Sequence, residues 1–265
     1  MYVRAKKALG QHFLHDGEKA RAIVQSLMDA VSPDSPVAYG GKSNVLEVGP
    51  GTGALTKYLL EERNITLKAV EIDSESIEFL HTMYPELPVI RADFLKLDPD
   101  SIFPGMQFCI IGNFPYNISS QIFFRIIDYR DRIPFAVGMV QKEVAERLAS
   151  PPGCKAYGIL SVLLQAWYDI EYLFTVEPSA FTPPPKVRSA VIRIRRNGRK
   201  SLDCDGALFK RVIKTAFNQR RKTIRNSTKQ LAGEYTLEDT PLSEMRPEQL
   251  SVEQFIELTN KFKHL

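Results

Sequence analysis

The chain has 265 residues, enough for one large α/β domain plus a small satellite, and its 44% hydrophobic content can fill a sizeable core. A formal net charge of +4 says little as a total, and no apolar run approaches the ~20 residues that span a bilayer. Three scattered cysteines, Cys109, Cys154 and Cys204, form no CxxC pair, so neither a zinc site nor a disulfide framework is indicated and a reducing, cytoplasmic setting is expected.

The first seventeen residues are basic, then polar and aromatic (RAKKALGQHFLHDG). A helix is expected over 18–30, with Ala22, Ile23, Leu27 and Ala30 on one face, and a Pro/Gly loop over 32–42. An alternation then begins. Strands are expected at 44–48, 65–72, 88–92, 108–111 and 135–140, and helices at 52–62, 74–83 and 118–129. Such alternation builds a mostly parallel sheet covered by helices on both faces. Helices follow at 141–149 and 158–167, and strands at 170–174 and 186–195, the last near a sheet edge. After Asn197-Gly198, Leu208, Phe209, Val212, Ile213 and Phe217 recur at helical spacing, and 247–264 reads as a closing helix. Two domains result: an α/β domain over 1–197 and a small helical domain over 198–265.

The first expected strand runs into Gly49-Pro50-Gly51-Thr52-Gly53. Glycines at a strand-to-helix turn let the backbone bend sharply and touch a ligand. About twenty residues on, Glu71 ends the second strand, where a carboxylate accepts hydrogen bonds from the ribose hydroxyls of an adenosine-containing ligand. The spacing differs from the G-x-G-x-x-G of dinucleotide binders, which suits a ligand without a phosphate. Asp93, ending the third strand, is either an acceptor for an adenine amine or a turn residue.

The fourth strand ends in Asn113-Phe114-Pro115-Tyr116. An adenine amine is a poor nucleophile because its lone pair is delocalised into the ring. The Asn113 side-chain carbonyl and the Pro115 main-chain carbonyl can hold its two hydrogens and aim the lone pair at a methyl sulfonium. The donor is already activated, so no metal is required. Tyr116 offers a stacking face worth ~1–3 kcal/mol. Phe181, in the stiff loop Phe181-Thr182-Pro183-Pro184-Pro185-Lys186, is a second stacking face or a plug of the core. A base within a duplex cannot reach such a site, so the target is flipped out or single-stranded.

Several motifs together resemble the ribosomal RNA adenine dimethyltransferase family, in particular its bacterial small-subunit branch, linked to kasugamycin resistance. They are Ala8-Leu9-Gly10-Gln11-His12-Phe13-Leu14, EVGPGTG, NFPYN at 113–117, Gln141-Lys142-Glu143-Val144, Ala156-Tyr157-Gly158, FTPPPKV and FNQRRKTIRNS at 217–227. They span the whole chain in order. The resemblance implies a Rossmann-like, seven-stranded, mostly parallel methyltransferase sheet with a small C-terminal helical domain. It implies dimethylation of two adjacent adenines in the hairpin loop near the 3′ end of small-subunit ribosomal RNA, late in 30S assembly. The implied donor is S-adenosylmethionine, leaving as S-adenosylhomocysteine, with contacts from His12, Leu14, Gly49, Gly51, Glu71, Asp93 and Asn113. Asn113, Pro115 and Tyr116 are the implied catalytic set. Two residues depart from the usual pattern: His12 stands where Asn is frequent, and Phe114 where Leu is usual, a change expected to alter pocket width.

Between Lys186 and Lys229 stand 15 Lys/Arg against two acids. Beside the resemblance this run is expected to grip RNA phosphates through Lys186, Arg188, Arg220, Arg221, Lys222 and Arg225, helped by Arg4, Lys6 and Lys7, rather than to be only a solvated face. A single chain with no membrane partner is the default. The competing readings are a large-subunit adenine methyltransferase of the macrolide-resistance type and a non-catalytic nucleic-acid-binding factor on the same fold.

Overall fold

A computed structural model describes residues 3–31, 37–231 and 233–264; residues 32–36 of the expected loop lie outside the described residues. The chain divides into two compact units, Met1–Ala145 with Ile170–Arg196, and Glu146–Asp169 with Asn197–Leu265.

The first unit is built on a sheet. Its main strands are β1 (Lys42–Val48), β2 (Ile65–Glu71), β3 (Val89–Arg91), β4 (Cys109–Asn113), β5 (Phe135–Gln141), β6 (Tyr168–Val176) and β7 (Ser189–Arg196). Their spatial order is β3-β2-β1-β4-β5-β7-β6, with a two-residue strand, Ala38–Tyr39, paired to the start of β1. β1 to β5 run parallel, and β7 runs antiparallel to β5. β1, β4 and β5 are buried almost end to end, which is why they read as continuous apolar runs rather than as alternations.

Helix α1 (Gly17–Met28) starts where the Asp16 carboxylate accepts from the N–H groups of Glu18 and Lys19, each at 3.0 Å, and buries Ala20, Ile23, Val24 and Leu27. Helix α2 spans Ser74–Met83 and α3 spans Ser119–Asp128. The helix expected over 52–62 shrinks to one turn, Thr56–Leu59. Gly51 and Gly53 have φ of +55° and +78°, left-handed values that no α-helix contains, so the helix cannot begin until they are passed.

The order reverses at β1, which lies between β2 and β4. Register pairs Val48 with Val70, Glu47 with Ile111 and Asn113 with Met139. The carboxyl ends of β1, β2, β3 and β4 therefore open at one edge, at the switch point where α/β sheets hold ligands.

The second unit holds the end of helix α4 (Lys142–Ala149), α5 (Ile159–Gln165), α6 (Gly206–Asn218), α7 (Val252–Asn260) and an antiparallel pair, Tyr235–Leu237 with Phe262–His264. The sequence places 146–169 with the first domain; here they pack with the C-terminal elements. The reason lies in α5, where Leu160, Ser161, Val162, Leu163 and Leu164 are all buried: a helix apolar on every side needs neighbours on every side. Phe217 stacks on Phe255 at 6.0 Å and lies near Tyr157 at 6.4 Å. The helix expected over 247–264 is shorter because its last residues pair as a strand with Tyr235–Leu237.

Candidate active site

One cleft at the β1–β4 edge is lined by residues 9–14, 47–52, 70–72, 92–95 and 113–118, among others. It holds His12, Leu14, Gly49, Gly51, Glu71, Asp93, Asn113, Pro115 and Tyr116 together. Gly49 (φ +67°) follows β1, and its N–H donates to the Val70 carbonyl at 2.9 Å. A Cβ on Gly51 would lie 2.9 Å from the Phe13 ring, so the turn accepts only glycine there. Gly53 instead makes room for the Tyr84 ring, which lies 2.6 Å from where a Cβ would stand.

Glu71 is buried at the end of β2. Its Oε1 accepts from the N–H groups of Ile72 and Asp73 at 2.8 and 2.9 Å, and its Oε2 accepts from the Gly51 N–H at 3.1 Å. Burial pushes its carboxyl above the ordinary range, those three bonds pull it back, and the Asp73 charge adds to the rise. The two bonds to Oε1 occupy its lone pairs, while Oε2 keeps one for a further donor such as a ribose hydroxyl. Beside it, Ile72 is 53% exposed and lines the cleft, an apolar face suited to a purine ring. Asp93 is a turn residue, its Oδ1 accepting from the Leu95 N–H at 3.0 Å, while its Oδ2 lies 3.9 Å from Lys96 Nζ; it also lines the cleft. The donor set thus fits an adenosyl group without phosphates.

Asn113 ends β4. Its Nδ2 donates to the His12 main-chain carbonyl at 2.9 Å, which fixes the amide and leaves Oδ1 as an acceptor with no partner among the described residues. The Pro115 carbonyl accepts from the Ile118 N–H at 3.2 Å and retains one lone pair. Tyr116 is half-buried, its hydroxyl sharing a short hydrogen bond with Ser189 Oγ; burial raises the phenol's pKa and this bond partly offsets the rise.

Two expectations narrow. Phe114 borders the cleft, but its ring is 1% exposed, edge-on to Phe123 and seated over Gly112 and Gly138, which are register partners across β4 and β5. Phe181 takes the second of its two alternatives. Its ring is 2% exposed within the hydrophobic core, its backbone pairs with Leu14, and it does not line the cleft.

The expected RNA-contacting cations divide. Lys186, Arg221 and Lys222 are exposed and form no ion pair among the described residues. Arg188 lies 3.9 Å from Glu177. Arg220 donates to the Lys155 carbonyl at 2.6 Å and lies 3.9 Å from Glu248. Arg225 is committed inside its own unit, at 2.8 Å from Glu244 and 2.6 Å from Asp239. Lys6 is likewise held by Asp73 and, at 2.9 Å, by Glu75.

Sequence reasoning passed over Ile72, Phe13, Leu95 and Glu47. Ile72 carried a signal, an isoleucine just past a strand end beside the acid. Phe13 carried none, because its contact with Gly51 is long-range. Glu47 lies under the turn, 1% exposed, with Thr56 Oγ1 donating to its Oε2 at 2.6 Å. Burial pushes its carboxyl up to about 7, the Thr56 bonds oppose this and the Glu71 charge adds to it.

Comparison with known proteins agrees with this geometry. The chain is 57% identical to a ribosomal RNA small subunit methyltransferase A of Parabacteroides distasonis, covering 97% of this chain and 93% of that protein. It is 53% identical to proteins of that name from Cytophaga hutchinsonii, with 97% of each covered, and Porphyromonas gingivalis, with 98% of each covered. In fold it is similar to a dimethyladenosine transferase from Plasmodium falciparum (TM-score 0.74, 24% identity, 93% of this chain and 96% of that one). It is also similar in fold to the 23S rRNA methyltransferase ErmE (TM-score 0.63, 24% identity, 94% and 99%). Residues 2–264 match the family of ribosomal RNA adenine dimethylases, and at these identities and this coverage the chain belongs to that family.

Proposed function

We infer that this chain is a 16S ribosomal RNA adenine dimethyltransferase. It converts two adjacent adenosines of the 3′-terminal hairpin loop to N6,N6-dimethyladenosine and takes part in 30S subunit biogenesis. One observation carries the reading: the glycine turn, Glu71, Asp93 and Asn113–Tyr116, from four different strand ends, line a single cleft.

When bound, S-adenosylmethionine supplies a methyl group already activated on a sulfonium and leaves as S-adenosylhomocysteine, so no metal is needed. Glu71 holds the ribose, Ile72 and Asp93 hold the adenine, and the backbone at Gly49, Gly51, His12 and Leu14 closes around the rest. Across the cleft, Asn113 Oδ1 and the Pro115 carbonyl accept the two hydrogens of the target amine. Holding both hydrogens turns the nitrogen pyramidal and brings its lone pair out of the ring. His12 prepares this step by keeping the Asn113 amide with Oδ1 outward. Tyr116, anchored through Ser189, carries the base on its face.

Lys186, Arg188, Arg220, Arg221 and Lys222 supply phosphate contacts in this reading, and Arg225 shapes the surface around them. A monomeric enzyme is the default in this reading, and a ribosomal substrate implies the cytoplasm. Among the described residues no helix is long and apolar enough to cross a membrane. The names of the 52–57% identical relatives favour the small subunit over a large-subunit target, and the complete acid and amide set argues against a non-catalytic factor.

The test is tritium transfer from labelled S-adenosylmethionine to purified 30S and 50S particles lacking the modification. Label in N6,N6-dimethyladenosine of the 30S particle alone is expected. Label confined to the 50S particle, or none with either, refutes the reading.

A further inference from the structure

Asp73, two residues beyond Glu71, is a buried carboxylate, 3% exposed, with no part in the steps assigned to the cleft. Its main-chain N–H donates to Glu71 Oε1, so its backbone orients the group assigned to the ribose. Its side chain faces the N-terminal segment. Oδ1 is bonded to Lys6 Nζ, while Oδ2 accepts from Ser76 Oγ at 2.9 Å and from Gln11 Nε2 at 3.4 Å. Lys6 and Gln11 reach it together because the chain between them closes on itself. Lys7–Leu9 is a single 3-10 turn ended by Gly10 at φ +64°, and Gln11 Oε1 accepts from the Lys6 N–H at 2.8 Å.

The same turn is fastened on the far side of the cleft. Asn117, just past β4, donates from Nδ2 to the Ala8 carbonyl at 3.4 Å, and its Oδ1 lies 2.6 Å from where a Cβ on Gly10 would stand. β2 and β4 flank β1, so their ends are about 9–10 Å apart. The turn bridges that gap, and residues 9–14 line the cleft. Farther on, buried Leu14 pairs with Phe181, and the His15 N–H donates to the Ala180 carbonyl at 2.9 Å. From Arg4 to Phe13 no residue is buried, so between Val3 and Leu14 this strap is held mainly by polar contacts. Segments held in that way open at a lower free energy than the core.

We propose that Asp73 is a positioning residue whose bonds to Lys6 and Gln11 latch the N-terminal strap across the cofactor cleft, so that S-adenosylhomocysteine leaves only when the latch opens. The proposal rests on the reading that the cleft takes S-adenosylmethionine. Two adenines, each dimethylated, consume four donors, so product must be exchanged repeatedly. The latch suits that need. It is an ion pair made by a lysine 35% exposed at its side chain, backed by Glu75 at 2.9 Å, rather than an apolar seal. Ser76 stays on Oδ2 when the strap lifts, so the buried carboxylate is never left bare. The two parts of Asp73 thus divide the work: its N–H keeps Glu71 in place with the strap open or shut, and its carboxylate holds the strap shut.

The experiment compares wild type with Lys6→Met, Lys6→Arg and Asp73→Asn. Lys6→Met keeps the stem and removes the charge beside a turn that buries no residue, so it tests the latch even where Asp73→Asn does not fold. Three quantities are read: the dissociation rate of S-adenosylhomocysteine by surface plasmon resonance, its Kd by calorimetry, and hydrogen exchange of the Leu9 and Gly10 amides, which donate to the Lys6 and Lys7 carbonyls. Loss of one charge-assisted bond lowers the closed-to-open ratio by a factor of about 10 to 150. In Lys6→Met and Asp73→Asn the dissociation rate should rise in that range, with Kd weakened by no more than the same factor. The two amides should also lose the protection that bound product gives them in wild type. Lys6→Arg, which keeps the cation, should stay within about threefold of the wild-type rate. A wild-type dissociation rate in Lys6→Met overturns the proposal, as does a rate that stays equally fast in Lys6→Arg. Absence of product binding to the wild type refutes the functional reading itself, a distinct outcome.

Discussion

Phe114 and Gly138 form a pair whose coupling is measurable. The Phe114 ring lies over the register partners Gly112 and Gly138, so a Cβ on Gly138 would stand 2.3 Å from Phe114 Cε2 and 2.9 Å from Cδ2. The ring is 1% exposed and braced edge-on by Phe123, so it cannot turn away. Gly138→Ala is therefore an overpacking change and should cost about 2 kcal/mol, within the ~1–3 typical of such changes. Phe114→Leu removes part of a buried ring and leaves a partial cavity, costing on the order of 1–2 kcal/mol. With leucine in place of that ring the space beside Gly138 is open, and an alanine in a strand interior is better than glycine by roughly 0.5–1 kcal/mol. The double variant should thus be more stable than Gly138→Ala alone, with a coupling energy of about 2.5–3 kcal/mol. The assay is thermal unfolding of the four proteins, where about 2 kcal/mol corresponds to roughly 4–8 °C for a unit of this size. Equal destabilisation by Gly138→Ala in the wild-type and Phe114→Leu backgrounds would show that the ring does not need the glycine.

Asn113→Ala removes an acceptor aimed at the transition state and should lower kcat by about 100-fold or more, leaving particle binding within a few-fold; near wild-type turnover would sink its assigned role. Glu71→Gln keeps the shape but loses the anionic acceptor, and calorimetry should find cofactor affinity about 10- to 150-fold weaker, from one charge-assisted bond at ~1.5–3 kcal/mol. Glu47 gives a signed pH effect. Its folded carboxyl titrates at about 7 against 4.5 for the free group, so the folded state holds the extra proton between them. Stability relative to Glu47→Gln should fall, on the order of 3 kcal/mol, as pH rises from about 4.5 to about 7, and be flat above. A difference in melting temperature that ignores pH would contradict this. Removing Lys186, Arg221 and Lys222 together should weaken RNA binding and reduce the log–log salt slope by about 0.7–0.9 for each phosphate no longer neutralised. Arg225→Gln, by contrast, should lower the melting temperature of the C-terminal unit, because its pairs with Asp239 and Glu244 are broken.

Much of this was legible locally. The helix expected over 74–83 is Ser74–Met83 to the residue, and the strand ends carrying Gly49, Glu71 and Asn113 fall where periodicity puts them. The run at 52–62 misled because its apolar spacing is helical while two left-handed glycines forbid the first turns. Arg225 misled because a cation in a basic stretch looks available until its acids, fourteen and nineteen residues away, fold beside it.

The amino-acid order alone carried the layer architecture, the turn that bends after β1 and the chemical types at each strand end, because these depend on neighbours within a few residues and on which face each presents. Folding settled the company those residues keep: Phe114 over paired glycines, Phe181 in the core, and His12 against Tyr116 with its ring tied to a carbonyl 171 residues away. Such neighbours are set by crossover connections and by competition for buried space, and no local periodicity encodes either.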